Sequence, residues 1–166
     1  MNREAEAREL LEKYSPDVLR LALEIAEAGE QERVFCNIYV DGGCLGSGSS
    51  AAEAYYSVKV IHGEYVRWWR KQLPPSLSQT NNVAEYYAVR EALQWVKDHC
   101  YFGDVVTIHT DSQLVVGQIT SGWKVRAQHL VELWQQCTEL LNEVQQTKDI
   151  SIVKEPRSVI VAQLGH

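Results

Sequence analysis

Three carboxylates stand where a chain folding only for stability gains little from an acid. Asp41 follows the apolar run Val34 to Val40 and precedes Gly42-Gly43, Asp111 directly follows Val105 to Thr110, and Glu85 lies between Ala84 and Tyr86. Each alone has an ordinary reading: a turn residue before two glycines, a helix cap ahead of Ser112-Gln113, and an acid in the first turn of a helix. If the strands ending at Asp41 and Asp111 are sheet neighbours, two acids meet at strand ends and the helix lays a third over them. Acids that close repel, and the usual remedy is a divalent cation.

The elements that must position them follow from hydrophobic periodicity. Val34 to Val40 reads as a buried strand, a small-residue loop from Cys44 to Ser50 leads to a strand from Glu53 to Val60, and His62-Gly63 turns into a third from Glu64 to Leu73. Short links make these an antiparallel meander. Thr80 to His99 reads as a helix, Val105 to His109 as a strand, Ser112 to Ile119 as a short helix and Ala127 to Gln146 as a long one. Ile150 to Val153 and Ser158 to Leu164 complete the pattern as a strand and a closing helix. A meander followed by alternating helices and strands predicts an α/β fold with a mixed sheet flanked by helices.

Ahead of it, apolar residues recur at helical spacing at Leu10, Leu11 and Tyr14, then at Val18, Leu21, Ala22 and Ile25. Ser15-Pro16-Asp17 divides the two runs as a cap with proline at the first helical position, and Gly29 closes the second. This predicts a helical hairpin over residues 1–33, a packing or oligomerisation appendage with a direct role in substrate binding as the alternative, and one domain over 34–166.

The composition supports a buried core: 45% of the 166 residues are hydrophobic and 23% charged. The net charge of −6 runs against a nucleic-acid partner, because phosphate binding relies on Lys and Arg. Residues 1–33 hold five basic and nine acidic groups, leaving 11 and 13 for the rest. Cys36, Cys44, Cys100 and Cys137 show no CxxC pair and no metal-finger spacing, so disulfides and structural zinc gain no support. With no signal sequence or membrane span, a reducing cytoplasmic location is expected.

At the three acids the sequence resembles the type 1 ribonuclease H family. Tyr39-Val40-Asp41-Gly42-Gly43, Thr80-Asn81-Asn82-Val83-Ala84-Glu85 and Thr110-Asp111-Ser112-Gln113-Leu114-Val115 match three of its signature blocks in order. The resemblance covers about residues 34 to 164. It implies a five-stranded mixed sheet in order 3-2-1-4-5 and hydrolysis of the RNA strand of RNA/DNA hybrids with two magnesium (or manganese) ions. Asp41 maps to the ligand bridging both ions, Glu85 and Asp111 complete the ion on the leaving-group side, and Glu85 also accepts from the ribose 2′-hydroxyl.

The same resemblance implies hybrid contacts at Thr80, Asn81 and Asn82, with helix capping as the alternative use of these residues. It further implies close backbone approach to the RNA strand at Gly42 and Gly43, and weaker contacts at Ser112 and Gln113. Ser121 to Arg126 joins the short helix to the long one without the basic, Trp-rich protrusion of some members, so the chain resembles the compact subgroup. Trp123 and Lys124 offer a reduced contact there, unless Trp123 packs under the helix. The edge-strand run Arg67 to Lys71 is expected to keep one face in the core and the other in water, or to dock a partner or the hairpin.

The C-terminal block departs from the family pattern. Pro156-Arg157-Ser158-Val159-Ile160-Val161-Ala162-Gln163-Leu164 is one residue short, with Gln163 where the family's fourth carboxylate is expected. An amide oxygen at a metal predicts weaker binding and activity that is reduced or favours manganese, and Gln163→Asp is then expected to raise activity in magnesium. Arg157 or His166 is the candidate for the mobile residue that assists product release in the family. Two other classes compete: a hybrid- or RNA-binding module with little cleavage, and a related nuclease scaffold for DNA, against which the Thr-Asn-Asn block speaks. Set aside the three proposed ligands and residues 34–166 carry 11 basic and 10 acidic groups, so overall acidity does not exclude a hybrid.

Overall fold

A computed structural model of the chain describes residues 3–27 and 33–165. Five strands form one sheet: β1 (Phe35–Leu45), β2 (Glu53–His62), β3 (Tyr65–Gln72), β4 (Val105–Thr110) and β5 (Asp149–Lys154). Their order is β3-β2-β1-β4-β5, antiparallel through the meander and parallel for β1–β4 and β4–β5. The helices are α1 (Arg3–Lys13), α2 (Pro16–Glu27), α3 (Asn81–His99), α4 (Gln113–Thr120), α5 (Gln128–Gln145) and α6 (Arg157–Leu164). The mixed sheet, its strand order and the succession of elements match the expectation.

Alternation along β1 divides the molecule into two layers on the sheet. Cys36, Ile38 and Val40 are buried with Val58, Val60 and Ile108 beneath α3, which contributes Val83, Ala84, Ala88, Val89 and Leu93 and packs on α5. The opposite face of β1 and β2 meets α6, anchored by the buried Ile160 and Leu164. Asp41 faces this second side.

β1 outruns its expected end at Val40. It continues to Leu45 because Gly42 and Gly43 keep the ladder, in register with Tyr56 and Tyr55. A side chain at Gly42 would strike the backbone of Ala84 and Glu85, so the bare Cα lets α3 sit directly on the strand.

The expected division of β3 into a buried and a wet face is corrected. Tyr65, Val66 and Trp68 are about half exposed or more, and only Trp69 is partly covered. α3 packs along β1 and β2 and meets β3 where Trp95 stacks on Tyr65, at 6.1 Å between centroids. The arginines of this edge lie over aromatic rings, Arg67 over Trp69 at 5.2 Å and Arg70 over Tyr55 at 3.8 Å.

The two expected helices form as α1 and α2, and Ser15 caps α2 by accepting from Val18 N at 3.4 Å. Leu10, Leu11, Leu21 and Leu23 remain exposed on it. Gly29, expected to close the second helix, lies outside the described residues. Among the described residues, no helix is long and apolar enough to cross a membrane.

Candidate active site

The parallel register of β1 and β4 sets Tyr39 opposite His109, so each strand delivers its acid two residues further along. Asp41 is 2% exposed, and Asp111 lies just past the end of β4 with its side chain 15% exposed. Glu85 comes over the sheet end from one turn inside α3, held by the Gly42 contact and by Thr80, whose hydroxyl caps the helix by accepting from Val83 N at 3.2 Å.

A cation already sits between two of these acids. One guanidinium nitrogen of Arg157, the first residue of α6, donates to Asp41 Oδ1 at 2.8 Å and to Asp111 Oδ2 at 2.9 Å. The hydrogen bond to Asp111 is the largest influence raising the Arg157 pKa further, so the guanidinium stays charged. Glu85 accepts from Ser112 Oγ at 2.5 Å. Burial pushes the Glu85 carboxyl above its ordinary range against the lowering effect of Ser112, with Asp111 and Asp41 adding to the rise. The cluster is therefore a crowded anionic site that accepts positive charge.

The face of the sheet below it is polar. Tyr39 stacks on His109 at 4.5 Å, and the His109 ring bridges Asn37 Oδ1 at 2.9 Å and Glu155 Oε1 at 2.7 Å. Glu155 N donates to Thr110 O at 2.8 Å, which fixes the chain entering α6 and hence the position of Arg157.

The remaining expected site residues are placed as follows. Asn81 and Asn82 are exposed at the tip of α3, beside the capping Thr80. Gln113 is exposed, whereas Ser112 is 5% exposed, capping α4 and donating to Glu85. The close approach that Gly42 permits is to α3, and that of Gly43 is to the Tyr55 ring. Trp123 lies against Gly117 of α4 while 47% exposed, so packing and access coexist, and Lys124 beside it is exposed.

Gln163 is not among the groups gathered around Arg157. Its Oε1 accepts from Lys59 Nζ at 3.1 Å. Lys59, which holds the amide, pairs with Tyr39, whereas Asp41 pairs with Ser57, two positions further along the β2 ladder. His166 lies outside the described residues.

Sequence reasoning missed the bridging role of Arg157 and two glutamines, half-buried Gln79 and buried Gln118. Gln79 accepts from Ala54 N at 2.8 Å and donates to Pro74 O at 3.1 Å and Leu77 O at 2.8 Å, which shapes the approach to Thr80. Gln118 accepts from Tyr86 Oη at 2.5 Å and donates to Lys124 O at 3.2 Å, which pins the segment carrying Trp123. A lone glutamine has no local signature. Its role arises only when distant backbone is brought to it.

A family model described as RNase H matches residues 33–156 of the chain. The chain belongs to the RNase H family. A ribonuclease H from Clostridium botulinum (strain Hall) is 30% identical over 118 residues, which is 64% of this chain and 74% of that protein. Among solved structures, RNase H1 from the halophilic archaeon Halobacterium salinarum NRC-1 aligns with a TM-score of 0.63 at 26% identity, covering 79% of this chain and 92% of that one. LC11-RNase H1, solved in complex with an RNA/DNA hybrid, shares the fold with a TM-score of 0.63 at 24% identity, covering 77% of this chain and 90% of that one. The RNase H family relationship covers the carboxylate-bearing elements and leaves the hairpin outside.

Proposed function

We propose that the chain hydrolyses the RNA strand of RNA/DNA hybrids at a divalent-metal site formed by Asp41, Glu85 and Asp111. The observation that carries this is the clustering of three acids close enough to influence one another, two of them bridged by Arg157, which stands in for metal charge. Family membership and the hybrid complex of the LC11 enzyme support the substrate.

The donor set fits magnesium or manganese, hard ions that prefer carboxylate oxygen. Asp41, Glu85 and Asp111 would hold the ions. Two such ions, when bound, activate water and stabilise the departing oxygen. Ser112 holds the Glu85 carboxylate toward the cluster, and Gly42 allows α3 to bring it there. Asn81 and Asn82 offer amides to base edges at the tip of α3, Gln113 a further amide at the start of α4, and Trp123 and Lys124 a ring and a charge to the strand backbone.

Two features favour activity below that of a four-acid site and a preference for manganese. Gln163 brings no charge and is engaged with Lys59, and the Arg157 guanidinium must give way before metal occupies both aspartates. The Arg157 contacts also favour the second reading, a hybrid-binding module with little cleavage. The hairpin over residues 1–33 is proposed as a separate appendage to the domain that follows, serving self-association or a protein partner.

The test is incubation of the chain with labelled RNA/DNA hybrid, double-stranded RNA and double-stranded DNA, in magnesium or manganese. Cleavage confined to the RNA strand of the hybrid, faster in manganese, is the expected result. Tight hybrid binding without cleavage in either metal selects the binding module instead.

A further inference from the structure

A second cluster of ligating side chains lies at the opposite end of the sheet. Cys36 at the start of β1 is in register with His62 at the end of β2. Cys100 caps the C-terminus of α3, and Asp104 immediately precedes β4. The ligating atoms of His62, Cys100 and Asp104 all lie within 4.8 Å of one another, with His62 Nε2 at 3.0 Å from Asp104 Oδ2. The neighbouring Cys100 thiol, together with burial and Asp104, pushes the Cys36 thiol well above its ordinary range. All four are buried or nearly so: Cys36 is 1% exposed, Asp104 3% and Cys100 8%, with the His62 side chain at 12%.

We propose that this is a structural site for a zinc-class cation, ligated by His62 Nε2, Cys100 Sγ and an Asp104 carboxylate oxygen, with Cys36 Sγ as the fourth ligand. A buried His–Asp pair satisfies itself and does not account for the Cys100 thiol beside it, or for buried Cys36 paired with His62 across the sheet. Thiolate and imidazole together select zinc or cobalt over magnesium, so the site is chemically distinct from the all-carboxylate cluster. Donors around tetrahedral zinc are about 3.5 Å apart, given metal–ligand bonds of about 2.0–2.3 Å, so small side-chain adjustments close the observed spacing.

The surroundings supply the outer contacts that such a site needs. Tyr101 N donates to Asp104 Oδ2 at 2.8 Å and fixes the carboxylate. The Trp95 ring meets His62 edge-on at 5.9 Å and limits its rotation. Gly103, at φ +81°, turns the chain between Cys100 and Asp104. Two thiolates, one carboxylate and a neutral imidazole around a divalent ion leave one net negative charge, and partly buried Lys148 interacts favourably with Cys100 and Asp104. On binding, each coordinated thiol gives its proton to solvent. The ion would clasp β1, β2, α3 and β4 at the base of the sheet.

The test is titration of the reduced full chain with cobalt, followed by displacement with zinc. One cobalt per chain is expected, with thiolate-to-cobalt charge-transfer absorption and intense visible bands of tetrahedral cobalt, and zinc should remove both and raise Tm. Cys100→Ser and His62→Asn should each weaken binding by on the order of 100-fold or more. Asp41→Asn should leave the spectrum intact. Wild-type protein without the charge-transfer band overturns the proposal, and this readout requires no variant to fold. Unchanged binding in a soluble Cys100→Ser, or loss of the band in Asp41→Asn, overturns it as well.

Discussion

At the residue scale the central relationship is between Arg157 and the two aspartates. Asp41 is nearly excluded from water, and an ionised carboxylate there requires a positive partner. Replacing Arg157 with Ala should destabilise the metal-free protein by about 1–3 kcal/mol. Manganese should restore more of the lost Tm than it adds to wild type, because it then fills a place no side chain occupies; equal shifts in both proteins would contradict this. The position of Gln163 changes an expectation drawn from sequence. A carboxylate placed there by Gln163→Asp meets Lys59 first, so the cleavage rate in magnesium should stay unchanged; a clear rise would show that the side chain turns to the metals. Asp41, Glu85 and Asp111 were legible because each contradicts the local logic of its element. Arg157 was not, since an arginine opening a short helix is ordinary until β5 and α6 place it 116 residues from its partner in sequence.

At the element scale, the approach of α3 to β1 decides whether Glu85 reaches the cluster. Gly42→Ala would push against the Ala84–Glu85 backbone, with an expected loss of about 1–3 kcal/mol in denaturant unfolding and a larger fractional loss of cleavage than of stability. A Gly42→Ala protein of wild-type stability and rate would mean that α3 is not seated by this contact. Periodicity revealed the strands and helices of the domain to within a residue or two, apart from β1. The β1 boundary was misjudged because two glycines read locally as a turn, whereas pairing with Tyr56 and Tyr55 carries them on as strand. The exposure of β3 was equally hidden. Alternation predicts a buried face only where another layer covers it, and α3 meets this edge at Tyr65.

At the scale of the whole molecule, the sheet has two chemically different ends, carboxylates at one and thiols with an imidazole at the other. The net charge of −6 obscures this, since four of those charges lie on residues 1–33. A chain beginning at Arg33, which keeps its hydrogen bond to Gly103 O at 3.1 Å, should unfold cooperatively with stability changed by no more than about 0.5 kcal/mol. It should also cleave hybrid at the full-length rate; aggregation or loss of cleavage would make the hairpin part of the domain. The most direct measurement of the central claim compares cleavage of a labelled RNA/DNA hybrid in manganese by wild type, Asp41→Asn and Asp111→Asn, each shown to be folded. Wild type should cut the RNA strand, leaving 3′-hydroxyl and 5′-phosphate ends, and each variant should be slower by on the order of 100-fold or more, equivalent to about 2.7 kcal/mol of lost transition-state stabilisation. Folded variants that cut at the wild-type rate would place the chemistry elsewhere and contradict the account.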